Sequence, residues 1–483
     1  MAETVRAALL FTLAALAVRA PALAFVELNW DEALYWQMAG ELAAGHLPYT
    51  ATWDRKPPGL FALLAPFHIA GGGSVLALRL GTALLVAATA LGLRTIGRHL
   101  LPGVPAAGML AGLAYVMLSM RGVGDGTNGE LLLAPFAVGG IALALAARGH
   151  GLALGAGVLA GAALLVKQVA LAEAAVAGLV LLRTPRLLPA FALGGVLPVA
   201  LAAGIYAAAG QLGLLLGALG AAGEAGATGL NLEGMRDGLA TYAIAIAAAL
   251  AGLVALAWRR TWPAAAVLGA WLAAVAAMLL LLGRFADHMM IQLAPHLALG
   301  VAALVAQARR RWVHGVAMLA LLGWSLHAPL RAAGEALWQR HVNGVAHWGD
   351  RTATIAAMLR PRLEGEHDLF VASRMLGLYR ETGTRPPTRF PFVPHLWSGY
   401  APVDGAAEMA RILAARPGFV VVDDLWLPGA ASPSGAQAEV LAHLHAVLAQ
   451  GYVQEARIGR FISRGGGFIG GGVGATVFRR ADR

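Results

Sequence analysis

The sequence predicts a polytopic α-helical membrane protein with about eleven transmembrane helices, juxtamembrane helices on its outer surface and a small C-terminal α/β domain. Three observations predict it. Of the 483 residues, 59% are hydrophobic and 13% charged, where a soluble domain carries roughly 25% charged; the mean hydropathy is +0.68. The apolar residues come in repeated blocks long enough to span a bilayer, which points to helices rather than a barrel. Near Ala332 the composition changes, and charged and aromatic residues become common.

The spans are placed by hydropathy and flanking charge at roughly 5–25, 75–95, 104–120, 131–147, 151–166, 169–182, 187–207, 239–257, 262–282, 290–307 and 312–328. The first block, Val5 to Phe25, holds Arg19 and has no small-residue cleavage site before Asp31, so it reads as a retained span rather than a signal peptide. The net charge of +10 does not point to nucleic acid. Its arginines cluster between apolar blocks, at 94–99, 148–150, 183–186, 259–260 and 309–311. These basic connections fall on every second loop, which makes that side cytoplasmic and the protein a multi-pass inner-membrane protein. With no cysteine in the chain, disulfides, thiol nucleophiles and Cys-ligated metals are excluded.

The expected domains are a membrane domain over 1–328, with a first outer loop at 26–74, and an extracytoplasmic domain over 329–483. In the latter, Phe370–Ala372 and Phe419–Val422 read as short buried strands, and 349–361, 404–415 and 436–450 as helices. The stretch from Arg464 to Gly474 lacks the GK[ST] of a phosphate loop. Flanked by strand-like Tyr452–Ile462 and Ala475–Arg479, it reads as a Gly-rich β-hairpin.

The first outer loop carries a polar, aromatic island from Asn29 to Leu60. Ionisable groups so dense beside a membrane are costly unless they do something. Asn29 and Glu32 have capping-box spacing and Gly45 suits a helix end. Leu34, Met38 and Leu42 form a stripe at helical spacing, so the segment is expected to lie as an amphipathic helix on the outer membrane surface, presenting Asp31 where the chain leaves the first span. Pro57 and Pro58 suit the first turn of a second helix over Gly59–Ala70, which fixes Asp54 and Lys56 just ahead of it. The alternative is that these charges are solvated interfacial anchors.

Asp31-Glu32 at the start of this loop, then Tyr35-Trp36, then Gly45-x-x-Pro48-Tyr49, then Asp54-x-Lys56-Pro57-Pro58-Gly59 resemble the C-type (GT-C) glycosyltransferases. The similarity is to the branch containing protein O-mannosyltransferases, lipid A aminoarabinose transferases and bacterial dolichyl-phosphate-mannose-transferase-like proteins. Glu130 after Thr127-Asn128-Gly129, Lys167-Gln168, Gly283-Arg284-Phe285 with His288, Gln292–Pro295, and Leu378-Tyr379 through Arg389 extend the resemblance in patches over most of the chain. It implies a polyprenyl-phosphate sugar donor, used on the extracytoplasmic face with inversion at the anomeric carbon, and a lipid, glycan or protein acceptor.

That chemistry needs one carboxylate as base for the acceptor hydroxyl and cations for the departing phosphate. Asp31 is the expected base. Lys56 is the expected phosphate contact, with Arg284 a second. Glu32 and Asp54 are expected to hold the sugar, position Lys56 or bind a cation, with Tyr35 and Glu130 beside the substrate; Glu130 also reads as a loop charge. Lys167 either snorkels at a span end or faces the cavity. His288 and Asp54 are candidates for a divalent cation, no cofactor being required; a hydrogen-bonded interfacial histidine is the other reading of His288. Asp423 and Asp424, at a strand end, suit a site by α/β geometry or read as capping or solvated acids, and Arg374, Tyr379, Arg380, Arg385 and Arg389 read as a solvated basic face or a contact for an acidic acceptor or a lipid head group. The rival class is a transporter or flippase of lipid-linked sugars, which predicts symmetry-related broken spans; no internal repeat is present. The tail is too short for a phosphoethanolamine transferase, and a membrane scaffold is the remaining alternative.

Overall fold

The computed structural model describes residues 2–224, 230–283, 285–399, 401–429, 433–459 and 474–483. A bundle of apolar helices is followed by a small mixed sheet. The chain enters through α1 (Ala2–Arg19), which a 3-10 turn over Ala20–Ala24 extends. Two helices of the first loop follow, α2 (Trp30–Ala43) and α3 (Pro58–Ala70). The bundle continues with α4 (Val75–Leu100), α5 (Ala107–Leu118), α6 (Gly129–Ala146), α7 (His150–Val166), α8 (Leu171–Leu181) and α9 (Leu188–Ala208). It closes with α10 (Leu212–Glu224), α11 (Leu232–Trp258), α12 (Trp262–Leu282), α13 (Ala294–Val305) and α14 (Arg311–His341). All eleven expected spans fall on helices. Among the described residues seven helices are long and apolar enough to cross a membrane; the other four expected spans lie on shorter apolar helices. α10, between the expected spans at 187–207 and 239–257, is a further apolar helix.

Short connections between long helices force antiparallel neighbours, and contacts at both ends agree. At one end Glu3 pairs with Arg94 and Arg98. At the other, Arg340 donates to the carbonyl of Ala24. Glycines set how closely the helices pack. On α7 and α9, a Cβ at Gly157 would lie 2.0 Å from the Phe191 carbonyl oxygen, and one at Gly161 2.3 Å from that of Gly195. Backbones this close are the membrane solution to association without a hydrophobic drive. Gly161→Val should therefore destabilise the bundle by about 1–3 kcal/mol through overpacking. Thermal unfolding in detergent checks this, and an unchanged Tm would show that the helices part without cost.

α14 runs through the expected boundary at 328, past Pro329, to His341. The change of composition marks where the helix leaves apolar surroundings, not where it ends, because Arg331, Glu335 and Arg340 sustain a helix as well as leucine does. The C-terminal domain has α15 (Arg351–Leu359), β1 (Leu369–Ala372), α16 (Gly377–Thr382), α17 (Gly405–Ala414), β2 (Phe419–Asp423), α18 (Gly435–Gly451), β3 (Tyr452–Ile458) and β4 (Ala475–Arg480). The strand order is β1-β2-β4-β3, with β1 and β2 parallel and the other pairs antiparallel. β1 and β2 are buried throughout, as continuous apolar runs covered on both faces should be. β3 and β4 pair as a hairpin's arms would; most of the Gly-rich stretch between them lies outside the described residues.

The surface-lying helix expected at 29–45 is instead a buried one. α2 starts at the expected capping box, yet Ala33, Leu34, Tyr35, Trp36, Met38 and Ala39 are all buried. They join α3 and the sheet of the C-terminal domain in one apolar cluster. A stripe at helical spacing cannot reveal that a second domain will cover the other side. The first loop is thus the joint between bundle and C-terminal domain.

Candidate active site

The first turn of α2 is fixed from below. Glu32 Oε1 accepts from Arg79 Nη1 at 2.6 Å and from the Thr127 amide at 2.5 Å, and Glu32 Oε2 accepts from the Asn29 amide at 3.2 Å. Arg79 also donates to the Asp125 carbonyl (2.9 Å), and Arg19 to the carbonyls of Asp125 (3.1 Å) and Gly126 (2.9 Å). Both arginines are buried. Glu32, expected to hold sugar, position Lys56 or bind a cation, is 1% exposed and is taken up in anchoring α2 to α1, α4 and the loop before α6.

Its neighbour Asp31 is free of that network. Asp31 Oδ1 lies 3.4 Å from Lys56 Nζ, with the two side chains 16% and 11% exposed. Lys56 follows a loop held by the Tyr49 hydroxyl, which donates to the Lys56 carbonyl at 2.6 Å. Its ammonium is also 3.8 Å from Asp54 Oδ2 and 5.3 Å from the centre of the Tyr35 ring. Asp54 is buried; its Oδ1 accepts from the Arg55 amide at 2.7 Å and lies 3.9 Å from His395 Nε2. Lys167 does not snorkel. It turns inward and its ammonium meets Glu130 Oε1 at 2.5 Å, both residues buried.

Electrostatics tie these groups together. Burial works to raise the Asp31 carboxyl, but the charges of Lys56, His288, Lys167 and Arg55 hold it well below the usual carboxylate range. Burial lowers the His288 imidazole, and Glu130, Lys167, Asp31 and Lys56 all act on it. The charges of Asp31, Lys56, Glu130, Lys167 and His288 thus act on one another, across α2, the 44–57 loop, α6, the end of α7 and the 285–293 segment. Burial, then Asp31, Asp54 and Glu130, push the Tyr35 phenol up, so it stays a neutral wall.

His395 is the residue sequence reasoning missed. It comes from the 3-10 turn Val393–Leu396 of the C-terminal domain and packs edge-on against Trp53 at 4.9 Å. Burial, then Lys56 and Arg55, lower its imidazole well below the usual value, so it faces Asp54 neutral. No spacing links it to the island, and only the tertiary fold reveals it.

Other candidates are placed elsewhere. His296, eight residues after His288, is separated from it by the 3-10 turn Met289–Leu293; it lies on α13, which begins at Ala294, and is buried in the bundle beside Trp271, 5.9 Å away. Asp423 is buried and accepts from Arg374 Nε at 2.9 Å, while the Arg374 guanidinium lies 5.5 Å from the centre of the Trp30 ring. Asp424 accepts from Thr476 Oγ1 and Arg457 Nε, each at 2.9 Å. Both acids brace the domain. Arg284 lies outside the described residues. For a divalent cation the residues do not fit: among the described residues no three His, Asp or Glu side chains converge, and Lys56, the Arg55 amide and His395 already surround Asp54.

No family model and no curated protein matches the sequence. Solved structures do. The chain is similar to ArnT from Cupriavidus metallidurans in its apo state, with a TM-score of 0.57 at 14% identity, covering 86% of this chain and 92% of that one. The same enzyme bound to undecaprenyl phosphate gives 0.56 at 14% identity, over 97% of both chains. Arabinofuranosyltransferase AftD from Mycobacteria gives 0.51 at 16% identity, over 97% of this chain and 39% of that one. The fold is therefore that of the GT-C membrane glycosyltransferases, the fold the resemblance implied.

Proposed function

We propose that this chain is an inverting glycosyltransferase that moves a sugar from a polyprenyl phosphate to an acceptor hydroxyl on the extracytoplasmic face of the inner membrane. One observation carries the reading. Of the island's four acids, Glu32 and Asp54 are buried and held and Glu41 accepts from Thr52 and Gln37, whereas Asp31 is partly open and meets a lysine ammonium at the joint between bundle and C-terminal domain. A lipid donor reaches that joint from the bilayer and a polar acceptor reaches it from water. The fold likeness to an enzyme solved with undecaprenyl phosphate agrees with such a donor.

The acceptor oxygen attacks the anomeric carbon as the bond from that carbon to the phosphate oxygen breaks. Asp31 takes the acceptor proton, and the leaving polyprenyl phosphate keeps the electron pair. The ion pair with Lys56 makes Asp31 a weak base in the free protein. A donor phosphate competes for the Lys56 ammonium, which stabilises the departing charge and returns basicity to Asp31. Base activation and donor binding become one event. Lys167, paired with Glu130, and His288 act on the Asp31 carboxylate through their charges.

Lys56→Ala should weaken donor binding by about tenfold or more, the scale of one lost charge-assisted hydrogen bond, and Lys56→Arg should keep part of it. Binding of a polyprenyl phosphate to purified protein tests this; equal affinity in all three proteins would leave Lys56 as a structural ion-pair partner. The sidedness is tested by reporter fusions after Arg260 and at the C-terminus. The alternating basic connections put the first in the cytoplasm and the second outside, and both on one side would contradict the topology.

A further inference from the structure

A cavity of about 440 Å³ lies on the far side of α2 from Asp31. That volume lies within the range of small-ligand sites, roughly 300–1,000 Å³. With 3.6 residues per turn, α2 turns Ala33, Gln37, Gly40 and Glu41 into this cavity and Asp31 and Tyr35 away from it. None of Asp31, Asp54, Lys56, Glu130, Lys167 or His288 lines it. Its other walls are the 46–52 loop, His68 of α3, and α16 with the 384–388 segment of the C-terminal domain.

The lining leans positive. Arg380 contributes a cation, and Arg385 a second that is exposed and 3.4 Å from Glu366 Oε2. His46, His68 and His367 add imidazoles, of which burial and then Arg380 lower that of His68, and Glu41 is the carboxylate among the lining residues. Glu41 is already occupied, accepting from Thr52 Oγ1 at 2.5 Å and Gln37 Nε2 at 3.2 Å, and burial pushes its carboxyl up toward the neutral form. The Arg380 guanidinium leans on Glu381 through Nη2, while its buried Nε donates to nothing. A buried guanidinium donor left unmet is costly, and an anion with several oxygens is the acceptor that matches it. The site also sits at the edge of the apolar bundle. Trp36 Nε1 donates to the Gly73 carbonyl at 2.8 Å in the corner between α3 and α4, and Ile69 and Leu76 on either side of that corner are exposed.

The geometry points to a second anion site, separate from the catalytic cleft, that takes a phosphate group. A free phosphate compound and the head group of an anionic lipid present the same chemistry here. The proposal does not depend on the reaction assigned to Asp31 and Lys56.

The test is equilibrium dialysis of radiolabelled inorganic phosphate against the full chain in phosphatidylcholine nanodiscs. Lys56→Ala serves as background, so that the catalytic cleft offers no competing ammonium. This protein is expected to bind phosphate, and adding Arg380→Gln should weaken binding at least tenfold. Ala51 lines the cavity at an exposed position, so a change there spares the core. Ala51→Asp should weaken binding and Ala51→Lys should strengthen it. No phosphate bound to the background protein would overturn the proposal, as would binding that ignores both Arg380→Gln and the two Ala51 charges. Competition when phosphatidylglycerol replaces phosphatidylcholine identifies a lipid head group as the occupant. Binding unchanged by that lipid identifies a soluble phosphate, and either result supports the site.

Discussion

Asp31→Asn is expected to lower turnover by about 10²–10⁴-fold, the usual contribution of a positioned general base, with folding and donor binding nearly intact. The helix start does not depend on this carboxylate. Asn29 is the cap and Glu32 completes the capping box, so the isosteric amide leaves α2 in place, and Lys56 keeps Asp54 as a partner at 3.8 Å. Asp31→Glu should also be poor, because one methylene displaces the base by about 1 Å, which costs roughly a hundredfold. The pH profile carries a second signature. The Asp31 carboxyl is held below the usual range in the free protein, with Lys56 the foremost cation responsible. The acid limb of kcat/KM should then lie below the ordinary aspartate value of about 3.9. It should move to higher pH in Lys56→Ala, because loss of the cation raises the carboxyl. A limb that stays put would separate the two residues. Wild-type turnover in Asp31→Asn would show that another group takes the proton.

Arg79→Ala is expected to give the largest loss of stability among the polar variants considered, about 3–5 kcal/mol, because it strands a buried carboxylate. Glu32 would retain the Thr127 and Asn29 amides but lose its counter-charge, and the anchor between α2 and α4 would go. Turnover should fall with it, since Asp31 sits on the same helical turn. The double change Glu32→Gln with Arg79→Gln removes both charges together and should recover part of the stability, the mark of two residues coupled in one network. Thermal unfolding of the single and double variants checks this; strictly additive losses would mean that the two groups act apart.

Much of this was legible in the sequence because the bilayer imposes simple rules. Blocks of apolar residues with arginines between them all fall on helices, seven of them long and apolar enough to span, since length and charge bias are what a spanning helix needs; α10 was not among the expected ones. The capping box at Asn29 and the Pro57–Pro58 helix start are local chemistry, and both are present. What sequence could not give is tertiary. Nothing in the periodicity of α2 says that the C-terminal domain covers it. Glu32 and Asp31 are adjacent acids with opposite fates, set by Arg79, 47 residues further along the chain from Glu32. Lys167 at a span end looks free to snorkel until Glu130 is found beside it. His395 enters from the far end of the chain. α16 escaped notice because six residues are too few to show a period.

The central claim is that sugar leaves its lipid phosphate at this site. It is tested most directly by incubating purified protein in nanodiscs with a polyprenyl-phosphate sugar and extracted envelope lipids and glycans, and following both products by mass spectrometry. Free polyprenyl phosphate should appear in step with an acceptor carrying the sugar in inverted anomeric configuration, and Asp31→Asn should suppress both together. Donor that crosses from one leaflet to the other intact, with no polyprenyl phosphate released, would contradict the claim and make the protein a carrier of lipid-linked sugar.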